Sequence, residues 1–417
     1  MGFLKAVLFG LIFGNAVLIV FPFTLKMSAK PMKYVKLGSS DLEVSEICLG
    51  TMTFGLQTTQ AEAHEQLNYA FDECGINFLD TSEVYPSPSM LGTHGRTDKI
   101  LAKWLAGRNR DDVVLAASIA GYSPDNTYMR PPGLGGGRNG EGTRLNAAQI
   151  EFAVDRLLGR MGVDHLDLLQ FQWPDRYVPL WGAEPFCFDE DGRDPAHLPV
   201  PFEEQLAAVQ KLVKKGKVRA LGLGNETPYG VGRFLEAHGA DPALPRPAAV
   251  QCGYSLLSRN EVDAGLVEAL RPRNGNLGLL AYSPLGGGAL AGKYVNPLVT
   301  PDDARMRRFP GYYLRFTSFE SREAVSAYTE LAKQHGLSCA ELALAWNYNQ
   351  PHVSSTIVGA TSLDQLKENI GAYQVAWTEE LADAVHEVYS RWREPARGVL
   401  GGYVGGGLAS EERPTVL

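Results

Sequence analysis

Short apolar segments alternate with longer amphipathic segments along most of this chain of 417 residues. Continuous apolar runs of this kind are typical of strands that are buried on both faces. Eight of them occur, at residues 45–51, 76–80, 113–118, 166–172, 218–224, 248–251, 277–282 and 355–358. Each is followed by a stretch with helical periodicity, at residues 60–74, 97–105, 147–161, 201–214, 229–238, 261–270, 321–335 with 340–348, and 363–372. Eight strand–helix units predict an α/β fold, a (β/α)8 TIM barrel, and an open doubly wound sheet is the alternative.

Further segments are predicted at the ends of the barrel and in its loops. Residues 33–44 alternate around a Gly-Ser-Ser-Asp turn, which predicts an N-terminal β-hairpin at the base of the barrel. Three long connections leave the carboxyl ends of strands, at residues 121–146, 173–200 and 284–319. We therefore expect long loops on the carboxyl face, a barrel over residues 33–395 and a flexible Gly-rich tail over residues 396–417.

Residues 1–32 form an N-terminal hydrophobic extension. No charged residue interrupts positions 6–25, and about 20 apolar residues are enough for one helix to span a bilayer. More lysines follow this segment than precede it, so the positive-inside rule would keep the barrel in the cytoplasm. One interpretation is a barrel anchored to a membrane by residues 6–25. The other is a soluble cytoplasmic protein whose natural start is Met27.

Composition and charge exclude several other classes of protein. The chain is 45% hydrophobic and 21% charged, which is typical of a globular domain. Its net charge is -8 and its basic residues are scattered, so nucleic acid is not expected as a partner. The five cysteines are odd in number and far apart, which favours buried free thiols over disulfides or a metal site.

Candidate chemistry begins directly after the second predicted strand. Residues 75–86 have the sequence GINFLDTSEVYP, in which an apolar strand ends at Asp80 and Tyr85 follows in the loop. Loops at the carboxyl ends of parallel strands carry the active sites of barrels. Taken alone, an aspartate that caps a turn and a half-buried tyrosine are the ordinary interpretation of these two residues. Motifs elsewhere in the chain change that interpretation.

Seven motifs occur in series between residues 32 and 395, in an order and at distances that suit eight strand–helix units. They are LGTMTFG at 49–55, GINFLDT at 75–81, DLLQFQWPDR at 167–176, GKVRALGLGNET at 216–227, QCGYSLL at 251–257, AYSPLGGG at 281–288 and IVGATS at 357–362. In this order they resemble the motifs of the aldo-keto reductase superfamily, and most closely those of its Tas-like branch.

The resemblance implies a (β/α)8 barrel that binds NADP(H) and transfers a hydride to the carbonyl carbon of a small-molecule substrate. Four residues meet at the nicotinamide in that family: an aspartate, a tyrosine, a lysine and a histidine. Asp80 and Tyr85 match the first two. Ser118 stands at the position of the lysine and Gln172 at that of the histidine, so the catalytic candidates are these four residues.

The resemblance also implies most of a cofactor site. Asn225 and Gln251 would hold the nicotinamide carboxamide, because an amide pair offers both donors and acceptors, and Tyr254 would stack on the ring. The residues expected around the pyrophosphate are Tyr282, Ser283, Pro284, Leu285 and Gly287. Those expected at the adenosine end are Gly359, Ala360, Thr361, Gln365, Glu368 and Asn369. The remaining candidates are Gly50, Thr51, Met52, Lys293 and Arg305, with Arg307, Arg308 and Arg315 as alternative partners of a 2′-phosphate.

The two substitutions affect the expected chemistry more than the expected fold. A free tyrosine has a pKa near ~10, and a nearby lysine would lower that pKa toward the working pH of a general acid. Without the lysine, Asp80 has also lost its cation. We therefore expect an NADP-dependent oxidoreductase with weak or altered activity. The alternative is a regulatory or sensor protein that binds NADP(H) without catalytic turnover.

Overall fold

The barrel that the sequence predicts is present in a computed structural model, which describes residues 30–131, 142–181 and 198–396. An antiparallel hairpin of β1 (Tyr34–Lys36) and β2 (Glu43–Ser45) precedes it. The barrel strands are β3 (Ile47–Gly50), β4 (Phe78–Ser82), β5 (Val114–Ile119), β6 (Leu166–Phe171), β7 (Val218–Gly224), β8 (Pro247–Gly253), β9 (Gly278–Tyr282) and β10 (Val353–Val358). Each strand pairs in parallel with the next, and β10 pairs with β3, so the sheet is closed and the open-sheet alternative is wrong.

Helices follow the strands and surround the barrel. Those described are α1 (Gln60–Asn68), α2 (Arg96–Leu105), α3 (Ala147–Met161), α4 (Phe202–Lys214), α5 (Pro228–Ala240), α6 (Val267–Leu270), α7 (Arg305–Arg308), α8 (Phe319–Gln334), α9 (Cys339–Tyr348), α10 (Leu363–Gly371) and α11 (Glu379–Arg391). Polar side chains mark where several of them begin: Thr59, Asn146 and Ser338 each accept a backbone N–H three residues on. Two of the predicted helices contain a π-helical segment, at Tyr69–Glu73 and Val262–Leu266.

Hydrophobic side chains form two main layers that leave one end of the barrel open. The larger layer lies between the strands and the surrounding helices, and the smaller fills the lower barrel interior, where Leu37 and Leu42 of the hairpin pack with Cys48. The hairpin turn lies close to the start of β8: a Cβ on Gly38, whose φ is 53°, would be 2.2 Å from the Ala248 carbonyl oxygen. As predicted, the hairpin covers the base of the barrel.

Some predicted segments lie outside the described residues. These are the hydrophobic residues 6–25, the Gly-rich stretch of the first long connection and the tail after Ala396. Among the residues that are described, no helix is both long enough and apolar enough to cross a membrane. The domain boundaries at residues 32 and 396 stay predictions.

Candidate active site

A cleft of about 570 Å³ opens on the carboxyl face of the barrel. Its walls come from the ends of the strands, from the connection that follows β9 and from the start of α10. The predicted site residues that line it are Gly50, Met52, Asp80, Tyr85, Gln172, Asn225, Gln251, Tyr282, Ser283, Pro284, Leu285, Gly287, Lys293, Arg305, Gly359, Ala360, Thr361, Gln365, Glu368 and Asn369. Thr51, Ser118 and Tyr254 do not line it.

Asp80 lies in β4, lines the cleft and is only 2% exposed. Its Oδ1 accepts hydrogen bonds from the side-chain amides of Gln251, at 2.7 Å, and Gln170, at 3.1 Å. Burial raises the pKa of Asp80 to about 7, although both amides act in the opposite direction. No cation of the described residues contributes to that pKa, so the carboxyl is held by neutral donors alone.

Ser118, at the position of the family's lysine, lies beneath the cleft rather than in it. It belongs to β5, pairs in register with Ser82 and is 2% exposed. The amide nitrogen of Gln170 lies between Ser118 and Asp80, 3.4 Å from the Ser118 hydroxyl oxygen and 3.1 Å from Asp80 Oδ1. Gly222 leaves room for this amide, because a Cβ there would be 3.0 Å from Gln170 Cγ. A neutral amide therefore lies beside Asp80, where the family has an ammonium group.

Gln172, at the position of the family's histidine, lines the cleft directly after β6. Its side-chain oxygen accepts a hydrogen bond from the hydroxyl of Ser82. Because Ser82 holds the oxygen, the amide nitrogen is the end left for a ligand. Gln172 can thus donate a hydrogen bond to a carbonyl oxygen, but it cannot transfer a proton. The sequence analysis missed Ser82, although its spacing of two residues from Asp80 on a strand places both on one face.

Tyr85 lies in the loop after β4 and presents its hydroxyl to the same cleft. Burial raises the pKa of this hydroxyl well above its usual 10, and Asp80 adds to that effect. The backbone before Tyr85 is anchored by a buried ion pair between Glu83 and Arg130, at 2.7 Å. The Tyr85 hydroxyl is therefore a weak acid, the opposite of what a neighbouring lysine would produce.

Asn225 and Gln251, the predicted carboxamide pair, are adjacent at the ends of β7 and β8, where the Asn225 backbone N–H donates to the Gln251 carbonyl at 2.7 Å. The Asn225 side chain accepts a hydrogen bond from the Tyr282 hydroxyl at 2.6 Å and donates one to the backbone carbonyl oxygen of Gln172 at 2.7 Å. Each amide keeps one further donor and one further acceptor position. Both line the cleft, so that capacity is available to a ligand.

Two predicted cofactor residues lie elsewhere. Tyr254 is 1% exposed, donates its hydroxyl to Asp263 at 2.7 Å and packs against Trp346. The stacking role assigned to Tyr254 does not agree with this position, and Tyr282 is a tyrosine that does line the cleft. Thr51 is fully buried and donates its hydroxyl to the backbone oxygen of Asp80 at 3.0 Å, so it supports β4 rather than a ligand.

The connection after β9 bridges the cleft. Its residues Gly286, Gly287 and Gly288 have φ angles of 54°, 65° and 100°, which favour glycine and let the backbone approach a ligand closely. Farther along, the Tyr312 hydroxyl hydrogen-bonds to the Ser87 hydroxyl at 2.6 Å. That contact joins the connection to the loop that carries Tyr85. The middle of the cleft is therefore enclosed by two loops that touch.

Two cations line the cleft away from Asp80. Lys293 and Arg305 are half-buried, and neither has a carboxylate within salt-bridge distance in the described part of the chain. The Nε atom of Arg305 is buried without a hydrogen-bond partner. Burial, followed by the charge of Arg305, lowers the pKa of Lys293. The Asp303 carboxylate, which also lines the cleft, acts on Lys293 in the opposite direction but forms no salt bridge with it among the described residues. Two cations without a salt-bridged carboxylate are suited to an anionic ligand.

The other arginines considered for a 2′-phosphate differ in position. Arg307 is exposed and binds the Thr300 carbonyl and the Asp302 carboxylate, at 2.6 Å and 2.9 Å. Arg308 is also exposed and does not line the cleft, whereas Arg315 does. Of the four arginines, only Arg305 and Arg315 therefore face the cleft. No group of three or more His, Cys, Asp or Glu side chains within the described ranges could hold a metal ion.

Comparison with known proteins points to one family. The profile of the Aldo/keto reductase family matches residues 46–390. The protein Tas of Escherichia coli K12 is 38% identical over 365 residues, which cover 86% of this chain and 99% of that protein. An aldo-keto reductase of Babesia bovis is 37% identical over 291 residues, which cover 68% of this chain and 98% of that protein. A probable voltage-gated potassium channel subunit beta of Arabidopsis thaliana is 29% identical over 351 residues, which cover 82% and 92%.

Proposed function

This chain belongs to the aldo/keto reductase family, an oxidoreductase family, and on that premise we propose that it is an NADP(H)-dependent enzyme with weak or altered carbonyl-reducing activity. The observation that carries the proposal is the cleft, which joins Asp80 and Tyr85 to Lys293 and Arg305. One continuous cleft thus holds the groups for a reacting carbonyl and the cations for a phosphate. A small-molecule carbonyl compound is the proposed substrate.

The residues of the cleft fit an NADP(H) molecule, which would supply a hydride when bound. Asn225 and Gln251 would hold the carboxamide, and the ring of Tyr282 would lie against the nicotinamide. The backbone at Gly286–Gly288 would approach the pyrophosphate. Lys293 and Arg305 would bind the 2′-phosphate, a group that NADH lacks, so we expect NADPH to be preferred over NADH.

At the reacting end, the side chains position a carbonyl better than they protonate it. Gln172 would donate a hydrogen bond to the carbonyl oxygen through its amide nitrogen, and Tyr85 would donate a second through its hydroxyl. Neither is assisted by a cation, because Ser118 replaces the family's lysine. General acid–base assistance contributes roughly 10²–10⁴-fold to a rate, which is the expected order of the deficit relative to a member with the complete tetrad.

The second candidate function is an NADP(H)-binding regulatory or sensor protein without turnover. The loss of both the lysine and the histidine favours it, and so does the similarity to a protein named as a probable potassium channel subunit. In this candidate function the cofactor residues still bind NADP(H), but Asp80 and Tyr85 take part in no reaction. The two candidates therefore differ in hydride transfer and not in nucleotide binding.

Steady-state reduction of 4-nitrobenzaldehyde by NADPH tests the proposal. We expect turnover well below the ~1–10 s⁻¹ of a typical enzyme, together with saturable NADPH binding measured by fluorescence quenching. Turnover in that typical range would contradict the impairment. NADPH binding with no turnover on aldehydes, ketones and quinones would favour the regulatory candidate, and the absence of NADPH binding would refute both.

A further inference from the structure

The side chains next to Asp80 on the neighbouring strands are neutral. They are Gln170, Gln251 and Ser118, described above. The titratable groups near it are the Cys48 thiol, the Tyr85 hydroxyl and, next to Tyr85, the hydroxyls of Tyr282 and Tyr313. Burial raises the pKa of Cys48 and that of Tyr85, so both groups are neutral at pH ~7. Within the described part of the chain, Asp80 therefore has no charged neighbour that acts on its pKa and requires it to be a carboxylate.

The Gln170 amide can serve Asp80 in either protonation state. Its nitrogen donates to Asp80 Oδ1 at 3.1 Å, while its oxygen is buried and has no hydrogen-bond partner. If the side-chain amide rotates by 180°, its oxygen can accept a hydrogen bond from a protonated Asp80, since an amide carries both a donor and an acceptor. A lysine ammonium can only donate, and it would therefore stabilise the carboxylate alone.

Tyr85 cannot supply a proton without being reprotonated in the same step. Its phenolate would be buried beside the Asp80 carboxyl group, and both burial and that charge raise the pKa of Tyr85. A proton lost from Tyr85 must come back from a group within the cleft wall. Asp80 is placed to return it, because it lines the same cleft and is the carboxyl group whose charge acts on the Tyr85 hydroxyl.

We propose that Asp80, as a neutral carboxylic acid, is the source of the proton that the carbonyl oxygen receives. This inference rests on the proposed reductase function. The carbonyl carbon gains the hydride, the electron pair of the C=O π bond moves to the oxygen, and the oxygen takes the proton of Tyr85. Tyr85 takes the proton of Asp80, which is left as a carboxylate and regains a proton from water after the alcohol leaves. The nicotinamide is oxidised and the carbonyl is reduced.

The protonation of Asp80 can be measured without any substrate. Infrared difference spectra of the wild-type protein minus Asp80→Asn, recorded across pH 4–9, should show a carboxylic acid band that disappears with a midpoint near pH 7. Asp72→Asn, at an exposed aspartate paired with Arg108, is the matched control and should show no such band at pH 6. A midpoint near ~4, the ordinary range of an aspartate, would overturn the proposal.

Single-turnover hydride transfer from bound NADPH to 4-nitrobenzaldehyde tests the role of that proton. The wild-type rate should fall about tenfold per pH unit above pH ~7, because the neutral form of Asp80 is then lost. Asp80→Asn should be slower than the wild type by about tenfold at pH 6 and should show no change of rate around pH 7. Cys48→Ala should keep the wild-type midpoint, which excludes the thiol as the titrating group.

Further outcomes distinguish this inference from the proposed function. Hydride transfer that is constant through pH 7 in the wild type, or that is equally fast in Asp80→Asn, would overturn the role of Asp80 and leave the reductase function standing. NADPH binding without hydride transfer at any pH would overturn both. Ser118→Lys should abolish the fall above pH 7, because a cation beside Asp80 keeps it ionised.

Discussion

The two ends of the cleft differ in how closely they follow the family to which the chain belongs. At the proposed cofactor end, Lys293 and Arg305 have no salt-bridged carboxylate among the described residues, and three successive glycines adopt left-handed backbone angles. At the reacting end, Ser118 and Gln172 stand where the resemblance predicts a lysine and a histidine, and Asp80 is held by two amides. If the proposed function holds, this difference means that one site can keep the groups for binding while it exchanges those for proton transfer.

Gln251 connects the two ends. Its side-chain nitrogen donates to Asp80 Oδ1 at 2.7 Å, and it also belongs to the pair expected to hold the nicotinamide carboxamide. A change in the protonation of Asp80 therefore acts directly on a residue that we propose binds the cofactor. The hydrogen bonds around Asp80 thus include a residue of the proposed carboxamide pair, and the following changes test whether the roles of the two ends can be separated.

The largest effect is expected from restoring the family's residues. Ser118→Lys with Gln172→His should raise the rate of hydride transfer by roughly 10²–10⁴-fold, because the lysine lowers the pKa of Tyr85 and the histidine can titrate. Single-turnover kinetics with saturating NADPH measure this rate. Ser118→Met with Gln172→Asn is the control for side-chain length without charge. An unchanged rate in the restored variant would refute the assignment of these two positions.

A second effect concerns stability and belongs to the reacting end alone. The pKa of Asp80 is about 7 in the folded protein, against an ordinary value near 4 in the unfolded chain. The folded state then binds more protons between these values, so stability should fall as pH rises from ~4 to ~7, by up to about 4 kcal/mol from this group. Asp80→Asn should lack this contribution.

Urea unfolding at pH 5 and pH 8 measures the contribution of Asp80 as a difference of differences. The wild-type protein should lose more stability between the two pH values than Asp80→Asn does, and Asp72→Asn serves as the surface control. If the wild type and Asp80→Asn showed the same pH dependence, Asp80 would not be the buried neutral acid that the structure indicates.

At the cofactor end, we expect the two cations to decide between NADPH and NADH. Lys293→Ala with Arg305→Ala should weaken NADPH binding by roughly 10²-fold, since each charged hydrogen bond contributes about 1.5–3 kcal/mol and part of it is screened. NADH binding should change by less than tenfold. Fluorescence titration measures both, and Arg307→Ala, an exposed arginine paired with Asp302, is the control. Equal losses for NADPH and NADH would show that these cations do not bind the 2′-phosphate.

The smallest effect is expected from the residue that orients Gln172. Ser82→Ala removes the hydroxyl that holds the Gln172 side-chain oxygen, so the amide can turn its acceptor toward the substrate. The rate of hydride transfer should fall about fivefold to tenfold, the equivalent of one neutral hydrogen bond, while the Kd for NADPH stays the same. Ser82→Thr should restore the rate. A parallel loss of NADPH binding would indicate a structural role instead.

The barrel was predictable because each of its strands is a continuous apolar run followed by a helix, and the same motifs located Asp80, Tyr85 and the glycines after β9. The error at Tyr254 came from its place directly after β8, where one residue of difference turns a side chain to the other face of the sheet. The contact of Gln170 with Asp80 was not predictable, because the stagger between β4 and β6 decides which residues meet inside a barrel. Nothing in the local sequence of a strand records that stagger.

One measurement tests most directly the claim that the cofactor end is kept and the reacting end is altered. NADPH binding is first measured by fluorescence quenching, and hydride transfer to 4-nitrobenzaldehyde is then followed in a single turnover on the same sample. We predict saturable binding followed by slow transfer, with a rate constant well below ~1 s⁻¹ at pH 7. Transfer at the ~1–10 s⁻¹ of a typical enzyme, or a failure of NADPH to bind, would contradict this account.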